Sequence, residues 1–115
     1  MNTRYLFGLP FISVIVESKE IEFLLDTGFN GAILLPLEKI RELRLKPFAV
    51  TQYALADGSH ATSEVFEAEV EWLGQKKKIA AIGTQSDFTL LGMELLTSAK
   101  TILSPSKNIL KIEPL

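Results

Sequence analysis

Phe23-Leu24-Leu25-Asp26-Thr27-Gly28 is the stretch on which the reading of this chain turns. A run of large apolar residues delivers one carboxylate, then a hydroxyl, then a residue with no side chain. Such a run belongs in a core, where an ionised Asp is costly unless it is hydrogen-bonded or paired. Thr27 and Gly28 then supply a donor hydroxyl and a backbone open to close approach. The same hexapeptide also fits a strand ending in an ordinary turn, because Asp and Gly are common turn residues. Its surroundings have to decide between the two.

Upstream, Phe11 to Val16 is rich in β-branched residues, and a polar turn, Glu17 to Glu20, separates it from Ile21 to Leu25. The two segments read as a hairpin that ends at Asp26. Downstream, Phe29-Asn30-Gly31 continues the turn, and Ala32 to Leu35 resumes an apolar run that Pro36 stops. Leu37 to Leu45 has helical spacing, with Pro36 suited to the helix start and Lys46-Pro47 expected to end it. Val50 to Leu55 predicts a strand, Asp57-Gly58 a hairpin turn, and Thr62 to Trp72 the returning strand. The alternation of that return slips near Phe66 to Ala68, where a bulge is expected. Leu73-Gly74-Gln75 turns the chain into a further strand, Lys76 to Ile82. Thr89-Leu90-Leu91-Gly92 is a second apolar run stopped by glycine, and Met93 to Ala99 predicts a short helix. Thr101 to Leu103 and Ile109 to Ile112 form a closing hairpin. The sum is one all-β domain over residues 1–115 with two short helices, barrel-like or sandwich-like.

Composition narrows the chemistry. The 115 residues suffice for one core and are too few for two. A net charge of −2, from 12 basic and 14 acidic residues with no basic stripe, argues against nucleic acid as the principal partner. The Lys76-Lys77-Lys78 run faces four glutamates of the preceding strand and reads as a solvated strand start. There is no cysteine, which excludes disulfides, thiolate catalysis and Cys-based metal sites. The single His60 excludes a His-pair zinc site and reads as an exposed turn residue, while Trp72 reads as core. With no phosphate loop and no metal-ligand spacing, neither cofactor nor metal is expected. The apolar-leaning run from Tyr5 to Val16 is too short to span a bilayer; Gly8 and Pro10 interrupt it, and no small-x-small cleavage site follows. It reads as a strand of a cytoplasmic protein with no membrane partner.

Three features stand in order along the chain: Leu24-Leu25-Asp26-Thr27-Gly28 early, the hairpin tipped by Asp57-Gly58 in the middle, and Leu90-Leu91-Gly92-Met93-Glu94-Leu95-Leu96 late. This order resembles the retropepsin-like aspartic proteases, and more closely their small single-domain members in bacteria and archaea. The resemblance covers about Phe11 to Leu115. It implies a closed β-barrel of the acid-protease fold, with Asp26 as the catalytic aspartate. Thr27 would lock its loop against the equivalent loop of a second subunit, and Gly28 would let substrate backbone lie close. Ala56, Asp57, Gly58 and Ser59 would be the tip of a mobile flap, and Leu90, Leu91 and Gly92 would cross behind the active-site loop as its support. Two positions depart from the pattern. Phe29 stands where a small residue is usual, and would either contact substrate or pack beneath the loop. The flap has one glycine where viral enzymes have several, while Asn30-Gly31 looks like the bacterial subset.

The chemistry so implied needs two carboxylates across one water, one ionised to take its proton and one protonated to donate to the peptide carbonyl oxygen. Two like charges that close share a proton and titrate as a pair. This chain has one Asp-Thr-Gly, and Asp57 and Asp87 lack that context. A working pair therefore requires a two-fold homodimer in which each copy donates Asp26. In such a dimer the chain termini pair into a shared sheet, for which Phe11 to Val16 and Ile109 to Ile112 are the candidates. An extended peptide or protein segment would be the substrate, bound through its backbone beneath the flaps. A non-catalytic dimeric peptide-binding or scaffolding module on the same fold is the alternative. A third is a small β domain of a larger assembly, in which Asp26 is only a turn residue.

Overall fold

The structure, a computed structural model, describes residues 1–115 apart from the side chain of Tyr53. Ten strands and two short helices follow in the order β1 (Thr3–Leu6), β2 (Leu9–Val16), β3 (Lys19–Leu25), β4 (Ile33–Pro36), α1 (Leu37–Leu43), β5 (Lys46–Ala54), β6 (His60–Trp72), β7 (Gln75–Thr84), β8 (Leu90–Leu91), α2 (Met93–Leu96), β9 (Ala99–Ser104) and β10 (Ile109–Pro114). Eight of the strands form one sheet in the order β1-β2-β3-β8-β4-β7-β6-β5, and β2 pairs again with β6 through Ile15–Glu71 and Val16–Val70. That last pairing closes β2, β3, β8, β4, β7 and β6 into a ring, the closed barrel expected. Closure leaves those strands without an open edge. β9 and β10 form a separate antiparallel hairpin.

Alternation builds the core. Ile12, Val14 and Val16 of β2 and Ile21, Phe23 and Leu25 of β3 point inward, where they meet Trp72, Val70 and Ala68 of β6. Among the described residues no polar or charged residue is buried. Tight turns join the strands: Phe7-Gly8, Glu17-Ser18 and Leu73-Gly74 each place two successive residues at positive φ, the twist that suits a two-residue hairpin.

Several boundaries differ from expectation for identifiable reasons. The run from Tyr5 to Val16 is two strands, because Phe7-Gly8 turns the chain inside it. The first helix stops at Leu43, where Arg44 takes a left-handed cap conformation. Lys46-Pro47 therefore begins β5; proline is tolerated there because β5 lies at the edge of the sheet. The expected bulge is real but its extra residue belongs to the partner strand. Pro47 pairs with Phe66 and Ala49 with Val65, so Phe48 is unpaired and Val65 and Phe66 are both buried. Helix α2 is one turn rather than two: its last backbone bond runs from the Thr97 N–H to Met93 O (2.8 Å), the Thr97 and Ser98 hydroxyls add bonds to Met93 O (2.7 Å) and Leu95 O (3.3 Å), and β9 begins at Ala99.

One expectation fails outright. Phe11 to Val16 cannot join a shared intermolecular sheet, because β2 pairs with β3 along one edge and with β1 and β6 along the other. Its ladder groups are already spent within the chain. Ile109 to Ile112 pairs with β9 alone and stays eligible.

Candidate active site

The site begins where β3 runs out of sheet. Leu24 and Leu25 pair in parallel with Leu90 and Leu91 of β8, and β8 pairs antiparallel with β4. The Asp26 N–H then donates to Leu91 O at 2.9 Å, so the backbone of the second apolar run holds the first residue of the loop. Asp26 is half-buried and Thr27 exposed. The Gly28 N–H donates to Asp26 Oδ1 at 2.8 Å and the Phe29 N–H to Asp26 O at 3.2 Å. The carboxylate is thus fixed through one oxygen, in the side-chain turn that Asp readily makes. Its other oxygen takes no partner among the described residues.

Behind the loop, Gly92 and the start of α2 receive the loop's carbonyls. The Gly92 N–H donates to Ala32 O (2.9 Å), the Met93 N–H to Phe29 O (2.8 Å) and the Glu94 N–H to Gly31 O (3.2 Å). Gly92 has no room for a side chain: a Cβ would overlap the Gly31 carbonyl oxygen and would lie 2.5 Å from Phe29 O and Cδ2. Leu91 is buried in the main core, and Leu90 packs in a second cluster with Phe29, Leu34 and Ile82. Phe29 itself is 0% exposed. It packs beneath the loop, against Gly31 and Gly92, and presents no surface for a substrate to touch. Of its two possible roles, packing is the one this structure realises, and substrate contact is corrected.

Above the loop lies the β5–β6 hairpin. Leu55 N–H donates to Ser59 O (2.9 Å) and Gly58 N–H to Leu55 O (3.0 Å), with Gly58 at φ +85. Asp57 accepts the Ser59 N–H (2.9 Å) and its hydroxyl (2.5 Å), and those bonds hold its carboxyl below the usual value. The tip bends onto the loop: a Cβ on Gly28 would come within 2.6 Å of Ala56 Cβ. Ala56 and the Asp26–Gly28 loop are therefore brought together, whereas Asp57, Gly58 and Ser59 stay exposed. His60 is exposed at the start of β6, and Trp72 is 1% exposed in the core.

Three further residues tie hairpin to loop. Leu55 and Ala61 pack on the Phe29 cluster, and the Ala54 N–H donates to Asn30 Oδ1 at 3.4 Å. Asn30 was visible in the sequence as part of Asn30-Gly31; its bond to β5 is tertiary and left no local signal. Beside the loop, a groove of about 370 Å³ runs between Asn30, Gly31 and Glu94 on one side and Val50, Thr51 and Gln52 on the other. Two larger clefts, of about 460 and 480 Å³, lie elsewhere, by the N-terminus and beneath α1. Among the described residues no three His, Asp or Glu side chains are grouped to hold a metal ion.

A six-strand ring whose Asp-Thr-Gly loop is backed by a second apolar strand and covered by a hairpin is the fold of the retropepsin-like aspartic proteases. Solved structures bear this out. The chain is similar to EIAV protease in complex with the inhibitor HBY-793, with a TM-score of 0.65 and 20% identity over 89% of this chain and 100% of that one. It is also similar to a retropepsin-like aspartic protease from Rickettsia conorii, with a TM-score of 0.63 and 25% identity over 96% of this chain and 84% of that one. No protein-family model matches the chain. No curated protein matches it either.

Proposed function

We propose that the chain is a single-domain aspartic endopeptidase that works as a homodimer, its dyad formed by Asp26 from each copy. The observation that carries the reading is the state of Asp26. Oδ1 is anchored by the Gly28 N–H, the other oxygen is unpaired among the described residues, and the loop bearing it is built into the barrel through Leu91 and Gly92. A turn residue needs the first of these features and not the rest. In the dimer the two carboxylates share a proton across a water: the ionised one removes a proton as the water attacks the peptide carbonyl, and the protonated one donates to the carbonyl oxygen. Thr27, exposed and with no hydrogen bond from its hydroxyl among the described residues, would brace the loop of the second copy.

An extended peptide would lie over Gly28, where a side chain has no room, with the β5–β6 hairpin lifting to admit it. The groove beside Asn30 and Gly31 would receive one of its side chains. Pairing of Ile109 to Ile112 in β10, a strand that pairs with β9 alone, with its copy is the remaining candidate for a shared terminal sheet. No helix is long and apolar enough to cross a membrane. The N-terminal apolar run forms the paired strands β1 and β2, of which β2 belongs to the ring. The test is cleavage of a peptide library by wild type beside Asp26→Asn, with oligomeric state recorded at the assay concentration. Loss of cleavage with fold and association intact is expected. Equal cleavage by the variant would overturn the proposal, and a stable dimer that binds peptides and cuts none would point to the scaffolding alternative.

A further inference from the structure

The tip of the β1–β2 hairpin carries a feature that folding does not require. Phe7 is 95% exposed and sits at φ +52. A left-handed conformation costs a bulky residue about 1 kcal/mol, and Asn, Asp or Gly would make the same turn with less strain. Leu6 and Leu9, paired across the turn, are exposed as well. No side chain from Tyr5 to Val16 is charged. The hairpin is also clamped. Arg4 makes two bonds of 2.7 Å to the Glu22 carboxylate, the Tyr5 hydroxyl donates to Ile109 O (2.8 Å) and the Thr3 hydroxyl to Leu110 O (3.1 Å). An exposed phenyl on a strained turn held in place serves nothing within one copy of the chain.

Register shows where this tip lies. Phe11 faces Leu24, so two more residues bring Leu9 level with Asp26. Leu25 is level with Leu91, which brings Gly92 level too, with the exposed Met93 next. At about 4.8 Å per strand, Leu9 is one step from Asp26 and Leu6 about two. The geometry points to Leu6-Phe7-Gly8-Leu9 as a contact surface for a second copy of this chain, with Phe7 as its anchor. The inference rests on the homodimer proposed above. Two Asp26 carboxylates can meet only across a two-fold axis, so a surface within two strands of Asp26 on its open side lies at or beside that axis. An uncharged tip can face its own copy without the like-charge repulsion that Asp57 would bring at the other hairpin. A pre-ordered aromatic anchor also loses little freedom on burial.

Phe7→Asn separates association from folding, because it removes the phenyl and relieves the turn. The full chain, wild type and variant, is sedimented over a concentration series, its unfolding is followed by circular dichroism, and peptide-library cleavage is measured at each concentration. The dimer dissociation constant is expected to rise roughly 100-fold, since each dimer loses two anchors. Folding stability should hold or rise, and activity should return at high concentration with unchanged kcat. Phe48→Asn, which removes an exposed phenyl on β5, should leave association unchanged. A dissociation constant within twofold of wild type, or an equal loss in Phe48→Asn, would overturn the inference and leave the dimeric protease standing. A raised KM in fully dimeric Phe7→Asn would overturn it in favour of substrate contact. A wild type that is monomeric and inactive throughout would overturn both.

Discussion

Gly92→Ala tests whether the second apolar run is the mechanical support of the active-site loop. The residue is not needed for its backbone angles, since φ is −114° and ψ −172°, open to any residue. It is needed for space. An added Cβ would lie 2.5 Å from Phe29 O and Cδ2 and would overlap the Gly31 carbonyl oxygen. Those two carbonyls cannot step aside freely, because Phe29 O accepts the Met93 N–H and Gly31 O the Glu94 N–H, while Gly92 donates to Ala32 O. Reaching ordinary contact distance means moving α2 and the loop apart by about 1 Å, which loses two of the three bonds. Overpacking costs about 1–3 kcal/mol and each lost bond about 1 kcal/mol, giving about 3–5 kcal/mol in all. That is a large share of the roughly 5–15 kcal/mol that keeps a domain folded, and corresponds to a drop in Tm of about 10–20 °C. Urea unfolding followed by the fluorescence of Trp72, the one tryptophan, measures it. Gly74→Ala is the comparison: φ is +81° but nothing lies within 4 Å, so only the left-handed conformation is penalised, by about 1 kcal/mol. If Gly92→Ala costs no more than Gly74→Ala, the support argument is wrong.

Three other outcomes follow from the same geometry. Gly28→Ala should push the Ala56 tip away at less than about 1 kcal/mol of stability, because the tip is exposed and can lift; cleavage should nevertheless fall at least about tenfold, as substrate loses its close approach. A stability loss like that of Gly92→Ala would show the tip to be rigidly seated. Phe29→Ala should cost about 3–5 kcal/mol by calorimetry, since the ring is wholly buried under the loop; a near-neutral result would mean the ring can leave its pocket for the cleft. Arg4 holds the Glu22 carboxyl below its ordinary value of 4.5 through their side-chain hydrogen bond. A depressed folded pKa means the contribution is present above the unfolded value and fades as pH falls through the lowered one. The stability difference between wild type and Glu22→Gln, small because the pair is exposed, should therefore persist at neutral pH and shrink as pH falls below 4.5, as urea titrations at several pH values would show.

Much of this was legible along the chain, for reasons that differ by residue. Strands β2, β3, β6 and β7 announce themselves by alternation bounded by polar or glycine turns, and their number points to a barrel or a sandwich without choosing between them. Strand β1 was hidden because its turn is Phe7-Gly8: the phenyl made a turn look like the middle of an apolar run. Pro47 was read as a stop because proline marks helix ends and edge strands alike, and only the sheet order tells which applies. Phe29 reads equally as substrate contact or as packing beneath the loop, since its pocket involves two glycines, Gly31 and Gly92, that are distant along the chain and meet through the β4–β8 pairing.

Asp26 is the instructive case. Turn chemistry and active-site chemistry are rival readings of one hexapeptide, and the hydrogen bonds within it suit both. The turn engages Oδ1 through the Gly28 N–H, which orients the carboxylate and leaves the other oxygen without a partner among the described residues. A side chain held by one oxygen is positioned as a lone turn residue would be, and the dyad chemistry proposed for it needs that positioning. The difference therefore lies outside the hexapeptide, in Leu91 and Gly92, which bind the loop to the barrel from behind. A simple turn would tolerate their replacement. A loop that must present its carboxylate to a second copy at hydrogen-bonding distance would not, because a displacement of about 1 Å is enough to break that contact.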